Sequence, residues 1–388
     1  MSEASGAPLL EGVRVLDFSR VLAGPYCTMV LADLGADVIK VERPGIGDET
    51  RSWGPPFSEG EATYYLAVNR GKRSIELDLA DPESKPVLDR LLDTADVVIE
   101  NFRAGVADRL GLGYDTLRQR RGDLIYCSVT GFGSGRLPRD RPGYDFVLQA
   151  ESGLMSITGE PGGPPMKVGV ALIDVLCGLH AAAGILAALN ARKETGKGRR
   201  IEVSLLDSAL AGLVNVAQAV LSTGEEARRY GNAHPSIVPY APFEAADGWI
   251  AVAAANDGLW AALCEVCDRQ DLASDERLST NAGRVEHRDE VTRALAETFR
   301  TRSAEEWLAA LHARGVPAGK VRGVSDAFAA AADAGEPATV TTRHPTIGPL
   351  PSARSPIRLL PPLGGEPSPP PRLGQHTVEI LRELGIES

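Results

Sequence analysis

From Val13 to Val129 the sequence alternates short runs of Val, Ile and Leu with stretches of helical character, and this alternation limits the possible folds more than any other feature. VRVLDF reads as a strand, residues 25–34 as a helix and ADVIKVE as a second strand. RSIELDL, DVVIENF and LIYCSV add three more strands, separated by a helix over residues 82–94 and a helical stretch through Arg121. Strands that are continuously apolar, rather than alternating, are covered on both faces, which calls for a parallel sheet between helical layers. The expected class is therefore α/β. Such sheets bind ligands beyond the carboxyl ends of their strands. Here those ends are residues 19–24, Arg43, the turn at 101–103 and the loop at 131–135.

A chain of 388 residues is long for one core, so two lobes are expected. Residues 1–223 form the large lobe: after Tyr144 come a short helix, the loop TGEPGGPPMKVG, a small-residue helix over 174–189, the strand IEVSLLD and a helix to about residue 222. Residues 224–330 read as a smaller α+β domain, with the connector GEEARRYGNAHPSIVPYAPF, a hairpin turning at Asp247-Gly248, a helix over 304–313 and the strand PAGKVRGV. Residues 331–388 hold the proline-rich run PPLGGEPSPPPRLG, an extended connector, and the helix TVEILRELG.

A net charge of −11 argues against nucleic acid or an anionic membrane as partner. The opening MSEASGAPLL has no charged-then-apolar leader, and the longest apolar stretch, 168–189, contains Asp174 and His180, so a soluble, cytoplasmic protein is expected. Five cysteines make no disulfide framework, and Cys264 and Cys267 form a lone CxxC with no second ligand pair; two buried thiols are expected and no metal. Basic residues bunch in the N-terminal third: Arg43, Arg70, Lys72, Arg73, Arg103, Arg109, Arg136, Arg139 and Arg141. Singly each fits a solvated surface; together, near strand ends, they suggest a pocket for an anion.

A strand–turn–helix–strand opening also suits a nicotinamide cofactor, with Glu42 where a ribose-binding acid would sit. The first turn, SRVLAGP, contains only Gly24 and lacks the glycines that let a backbone approach a pyrophosphate, so a dehydrogenase is a distant alternative. Asp174 lies among apolar and small residues, VGVALIDVLCGLHAAAG. A carboxylate there is costly unless hydrogen-bonded, paired or neutral. With the preceding loop ending near Gly169, a structural helix cap is the default, and a nucleophile held by helix amides is the functional option. Gly178, Ala181 and Ala182 would let a ligand or another backbone come close. Tyr144-Asp145 fits a turn with an exposed acid, and His180 fits a satisfied core histidine; no role attaches to His180 or His234. Neither a GxSxG elbow nor HExxH is present, which leaves hydrolase and metalloenzyme readings without support.

The ordered set DFSRVLAGPYCTMVLADLGADVIKVERPGIGDETR, NRGKRSIELDL, ENFRAG, GYDFVLQAESGLMSITGEP, the Asp174 helix and PPPRLGQHTVEILRELG resembles the class III coenzyme A transferases, from about Leu9 to the end. That family includes formyl-CoA transferase and carnitine CoA-transferase, with alpha-methylacyl-CoA racemase as a relative. The resemblance implies a Rossmann-like large domain built from both termini, a smaller α+β domain, and a homodimer of two interlocked rings. It implies acyl-CoA and carboxylic acid as substrates and Asp174 as the catalytic nucleophile, forming an aspartyl anhydride and then an aspartyl-CoA thioester. It places CoA contacts at Val21, Leu22, Ala23, Arg43, Leu77, Asn101, Phe102, Arg103, Arg109, Tyr144 and Asp145. Arg43 and Arg109 would suit CoA phosphates through the bidentate guanidinium fork, and Phe102 the adenine.

Two departures bear on substrate. Formyl-CoA transferase has glutamine where this chain has Leu22, and a glycine-only loop where it has GNAHPSIVPY, so formyl and oxalyl substrates are disfavoured. GNAHPSIVPY is more similar to members that act on dicarboxylates with succinyl-CoA as donor. The racemase branch places a histidine where Tyr144 stands; a phenol, with pKa near 10, is ill suited to abstract an α-proton, which favours transfer. Racemase and an inactive CoA-binding relative remain the alternatives.

Overall fold

In the computed structural model, which describes residues 7–135, 141–359 and 367–386, the apolar runs become a six-stranded sheet. Its strands are β1 (Arg14–Asp17), β2 (Asp37–Glu42), β3 (Lys72–Glu76), β4 (Val97–Glu100), β5 (Ile125–Thr130) and β6 (Arg200–Ser204). They lie in the order β3-β2-β1-β4-β5-β6 and every pairing is parallel. The order reverses between β1 and β4, which opens a crevice at their carboxyl ends.

Alternate residues of each strand serve opposite faces, so both faces are apolar. On one, Val15, Val38, Val97, Ile99 and Cys127 pack under α1 (Ala23–Asp33) and the long helix α5 (Leu172–Thr195). On the other, Leu16, Ile39, Ile75, Val98 and Tyr126 pack under α2 (Lys85–Thr94) and the tail helix α10 (Thr377–Glu383). Between these lie α3 (Tyr114–Arg120), α4 (Asp145–Glu151) and α6 (Leu205–Gly212). Helix α5 is long and apolar enough to span a membrane by length and composition, and half of its apolar window is buried here. Gly178 is required by its contact with α1: a Cβ there would sit 2.6 Å from the Ala23 carbonyl oxygen and 3.3 Å from the Cys27 nitrogen. The small-residue helix thus makes room for another backbone.

β3 is an edge strand, and the tail covers its unpaired amides. Ser74 N donates to His376 Nδ1 (3.1 Å) and Glu76 N to Thr377 Oγ1 (3.2 Å), while Arg73 pairs with Glu379 and Glu383. An edge closed in this way cannot recruit another strand.

The chain divides into two compact units: Met1–Leu154, Lys167–Glu225 and Ala338–Ser388 form one, and Met155–Met166 with Glu226–Pro337 the other. The excursion Met155–Met166 goes with the second unit, where the sequence reading leaves it in the first; in that unit Gly231 lies against the Glu160 carboxylate. The second unit is built on an antiparallel sheet of β7 (Tyr240–Ala245), β8 (Gly248–Ala253) and β9 (Ala318–Lys320), whose first turn is Ala246-Asp247, one residue earlier than expected. Its core joins Phe243, Phe299 and Trp307 in ring contacts, and the buried Arg284 guanidinium is satisfied by Val238 O, Leu278 O and Asp257. Cys264 and Cys267 are buried, free thiols in this core.

Three of the bunched cations are spent on the fold. Arg70 pairs with Asp33, Lys72 with Asp17 (3.2 Å, both fully buried) and Arg73 with Asp37. The expectation of an anion pocket therefore fails for these three, because carboxylates brought up by sheet assembly neutralise them. Arg136, Arg139 and residues 360–366 of the proline-rich connector lie outside the described residues.

Candidate active site

The loop after β1 is fixed from three sides. Asp17 accepts from Ser19 N, Lys40 Nζ donates to Ser19 O (2.9 Å), and the Asn101 side chain clamps Arg20 by both backbone groups, Arg20 N to Oδ1 (2.9 Å) and Nδ2 to Arg20 O (2.8 Å). Val21 N donates to both carboxylate oxygens of Asp48 (3.3 Å), itself buried and ion-paired with Lys40 at 2.9 Å. This network holds Val21 at φ +71, a conformation that a β-branched residue adopts only under outside constraint. Leu22 then caps α1.

Two cavities meet at this loop. A polar cleft of about 430 Å³ lies over the β1/β4 crossover, between the 20–23 loop, the 101–105 turn and the 131–134 loop. Glu100 forms part of its floor: buried, bonded to Ser128 Oγ and to Phe102 N (2.8 Å), with burial pushing its carboxyl upward. A second chamber, of about 600 Å³, largely apolar and open to solvent, is lined by Trp53, Tyr64, Phe146 and Val170. Val21, Leu22, Tyr144 and Asp174 line both, so Asp174 stands at the junction.

Helix α5 begins at Leu172, with Ala171 as its cap, and Asp174 is the third helical residue. The expectation of an Asp174 cap is therefore wrong. The capping acceptor comes instead from the start of α4: Asp145 Oδ1 accepts from Ile173 N (2.7 Å) and Asp174 N (3.2 Å). Asp145 is buried rather than an exposed turn acid; its other oxygen takes a bond from Gln149 Nε2 (2.6 Å), and Gln149 Oε1 accepts from Val168 N. Among the described residues, Asp17, Glu42, Asp48, Glu100 and Asp145 are the other buried carboxylates, and each accepts hydrogen bonds. Among the described residues, none donates to the Asp174 carboxylate. Burial first, and then the Asp145 charge, push Asp174 up to about 7.

Of the residues named from sequence, Val21, Leu22, Ala23, Asn101, Phe102, Arg103, Tyr144 and Asp174 line the cleft, and Asp145 lines the chamber. Arg43 and Arg109 are exposed and line neither cavity, and Leu77 is buried in the core beside β3. His180 is exposed rather than in the core, its Nδ1 3.0 Å from Ser208 Oγ. His234 makes a tilted ring contact with Tyr240 in the second unit. Glu42 is held by Arg51, Ser74 and Asp48 N, which removes it as a ribose ligand and with it the support for a dinucleotide site. Sequence reasoning missed Trp53 and Tyr64. Burial, together with the charges of Asp174, Asp145 and Asp48, raises the Tyr64 phenol to about 12. The aromatic pair in EATYYLAV is the one local sign of Tyr64.

The chain's similarities agree with this layout. Residues 10–377 match the model of CoA-transferase family III. Human succinyl-CoA:glutarate CoA-transferase is 42% identical over 99% of this chain and 87% of its own length. Succinate–glutarate CoA-transferase of Agrobacterium fabrum is 43% identical (97% and 96% covered), and succinyl-CoA:mesaconate CoA-transferase of Haloarcula hispanica 41% (97% and 96%). A CAIB/BAIF family protein from Brucella suis, known from its crystal structure, superposes with a TM-score of 0.87 at 41% identity, covering 98% of this chain and all of that one. The chain is thus an enzyme of CoA-transferase family III, on the transferase branch.

Proposed function

We propose that the enzyme moves CoA from succinyl-CoA to a dicarboxylic acid such as glutarate, with Asp174 as nucleophile. The observation that carries this is the Asp174 carboxylate: buried, without a side-chain donor among the described residues, and shared by a polar cleft and an apolar chamber. The cleft would take CoA and the chamber the acyl group. An Asp174 oxygen attacks the thioester carbonyl, the C–S bond breaks and CoA leaves as thiolate, giving a mixed anhydride. The thiolate attacks the Asp174 carbonyl carbon, the C–O bond breaks and succinate departs, leaving an aspartyl-CoA thioester. The acceptor carboxylate repeats both steps in reverse. Covalent catalysis of this kind divides one hard exchange into easier ones. A carboxylate already short of hydrogen bonds gives up little solvation on attack. The ionised form is the nucleophile, so the elevated pKa keeps part of the enzyme inactive below about pH 7.

Relatives named for succinyl-CoA with glutarate or mesaconate support the donor and acceptor classes. The CoA contacts expected from sequence belong to this proposal, with Val21–Ala23, Asn101–Arg103 and Tyr144 favoured by their place on the cleft. The interlocked homodimer, with its large domain built from both termini, also belongs to it and rests on the family resemblance.

The test is incubation with succinyl-CoA and a panel of carboxylates, oxalate included, with mass spectrometry for new acyl-CoAs and hydroxylamine trapping at Asp174. Glutaryl-CoA and an Asp174 hydroxamate are expected. Full transfer by Asp174→Ala would refute the mechanism, and deuterium wash-in at the α-carbon of a 2-methylacyl-CoA without any acceptor would favour racemisation.

A further inference from the structure

The chamber beside Asp174 poses a charge problem for a dicarboxylate. Its walls are mainly Leu22, Trp53, Ala67, Phe146, Val170 and Val175, and its two acids, Asp145 and Asp174, carry the same sign as the ligand. When one end of a dicarboxylic acyl group is bonded to Asp174, the other end remains ionised. Those walls are open to solvent, with Phe146 and Val170 more than half exposed, so the carboxylate keeps part of its hydration and is bound selectively only where a cation is within reach. Among the described residues lining the chamber, Lys167 is the single cation. It is exposed, and its Nζ donates to the Val168 carbonyl at 3.1 Å, which leaves two further ammonium hydrogens for a ligand.

Its position is set by the structure around it. Val168 N, the next amide, is bound by Gln149 Oε1 (2.8 Å), and Gln149 is held by Asp145, which caps the helix bearing Asp174. The segment with Lys167 and the nucleophile are therefore tied to one hydrogen-bonded unit. The flexible lysine stem allows the charge to meet chains of different length.

We infer that Lys167 is the specificity-determining residue that receives the distal carboxylate of the acyl group, selecting dicarboxylic over monocarboxylic acids. This rests on the Asp174 reading given above. Because the lysine is exposed rather than enclosed, its contribution is that of a screened pair, about 2- to 5-fold in discrimination.

The experiment compares glutaryl-CoA with pentanoyl-CoA, equal in chain length and differing in the distal carboxylate, on the full chain and on Lys167→Gln and Lys167→Arg. Two quantities are read: kcat/KM for forming the hydroxylamine-trapped adduct at Asp174, and inhibition constants of free glutarate and pentanoate. Lys167→Gln is expected to lose about 2- to 5-fold with glutaryl-CoA and glutarate, to change less than about 1.5-fold with pentanoyl-CoA and pentanoate, and to be rescued by Lys167→Arg. Equal losses for both acids, or none for glutarate, overturn the assignment while leaving Asp174 chemistry standing. No adduct on the unaltered enzyme with any acyl-CoA overturns the Asp174 reading and Lys167 with it. The inhibition constants decide the matter even where pentanoyl-CoA does not react.

Discussion

Replacing Asp174 by asparagine should make the enzyme more stable while abolishing transfer, and the stabilisation should depend on pH in a way that names its cause. The folded carboxyl lies at about 7, against 3.8 for the unsupported group, because burial and the Asp145 charge disfavour ionisation. The full difference corresponds to about 4 kcal/mol against the ionised form. The sign follows from proton counts. Below 3.8 the group is protonated in both states and contributes no penalty; between 3.8 and about 7 the folded state holds a proton that the unfolded state has lost. Folding stability of the unaltered enzyme therefore falls with rising pH across this window, by at most about 1.4 kcal/mol per pH unit, and the penalty is complete above about 7. Asparagine has nearly the same shape and no charge, so its stability should lack that slope. Urea denaturation of both proteins at intervals from pH 5 to 8.5, followed by circular dichroism, measures the difference. It should be roughly a third to two-fifths of its full size at pH 5 and largest above pH 7.5. A constant difference, or one that shrinks as pH rises, would show that the Asp174 carboxylate is not held against its ionisation, and the account of a poised nucleophile would lose its basis.

Three further outcomes follow from the same geometry. Asp145→Asn removes the second cause of the raised Asp174 value but retains an acceptor for Ile173 N; the acidic limb of kcat/KM should move to lower pH, and an unmoved limb would assign the elevation to burial alone. Gly178→Ala places a methyl 2.6 Å from the Ala23 carbonyl oxygen, between two backbones that cannot yield separately. It should cost about 1–3 kcal/mol in urea denaturation and lower kcat by shifting the start of α1, and wild-type stability would contradict the packing described. His376 is held neutral, its pKa lowered by burial, while Nδ1 accepts from the β3 edge. Its contribution is present above 6.5 and fades as pH falls through the lower folded value, so amide protection at Ser74 and Glu76 should weaken from pH 7.5 to 5.5, but not in His376→Ala, which starts weak.

How far these features could be read from sequence depends on where each residue finds its partner. VRVLDF and DVVIENF announce buried parallel strands because both faces of each are apolar, and that information is local. Partners of the charged groups are not local. Lys72 meets Asp17, 55 residues away, and Ser74 N meets His376, 302 residues away, so neither the neutralised cations nor the closed sheet edge leave a mark in the surrounding residues. Local sequence makes Asp174 look like a cap for the same reason: the acceptor at its helix start, Asp145, comes from 29 residues upstream. Once these distant bonds are assigned, the buried carboxylates separate into two kinds. Five are engaged as acceptors, and their roles in holding the fold account for them. Asp174 is buried like the others but takes no bond from a described side chain or amide, and folding offers no reason to keep it so. A carboxylate left short of donors at the junction of two cavities fits the nucleophile proposed above, and its isolation stands out only against the whole hydrogen-bond network.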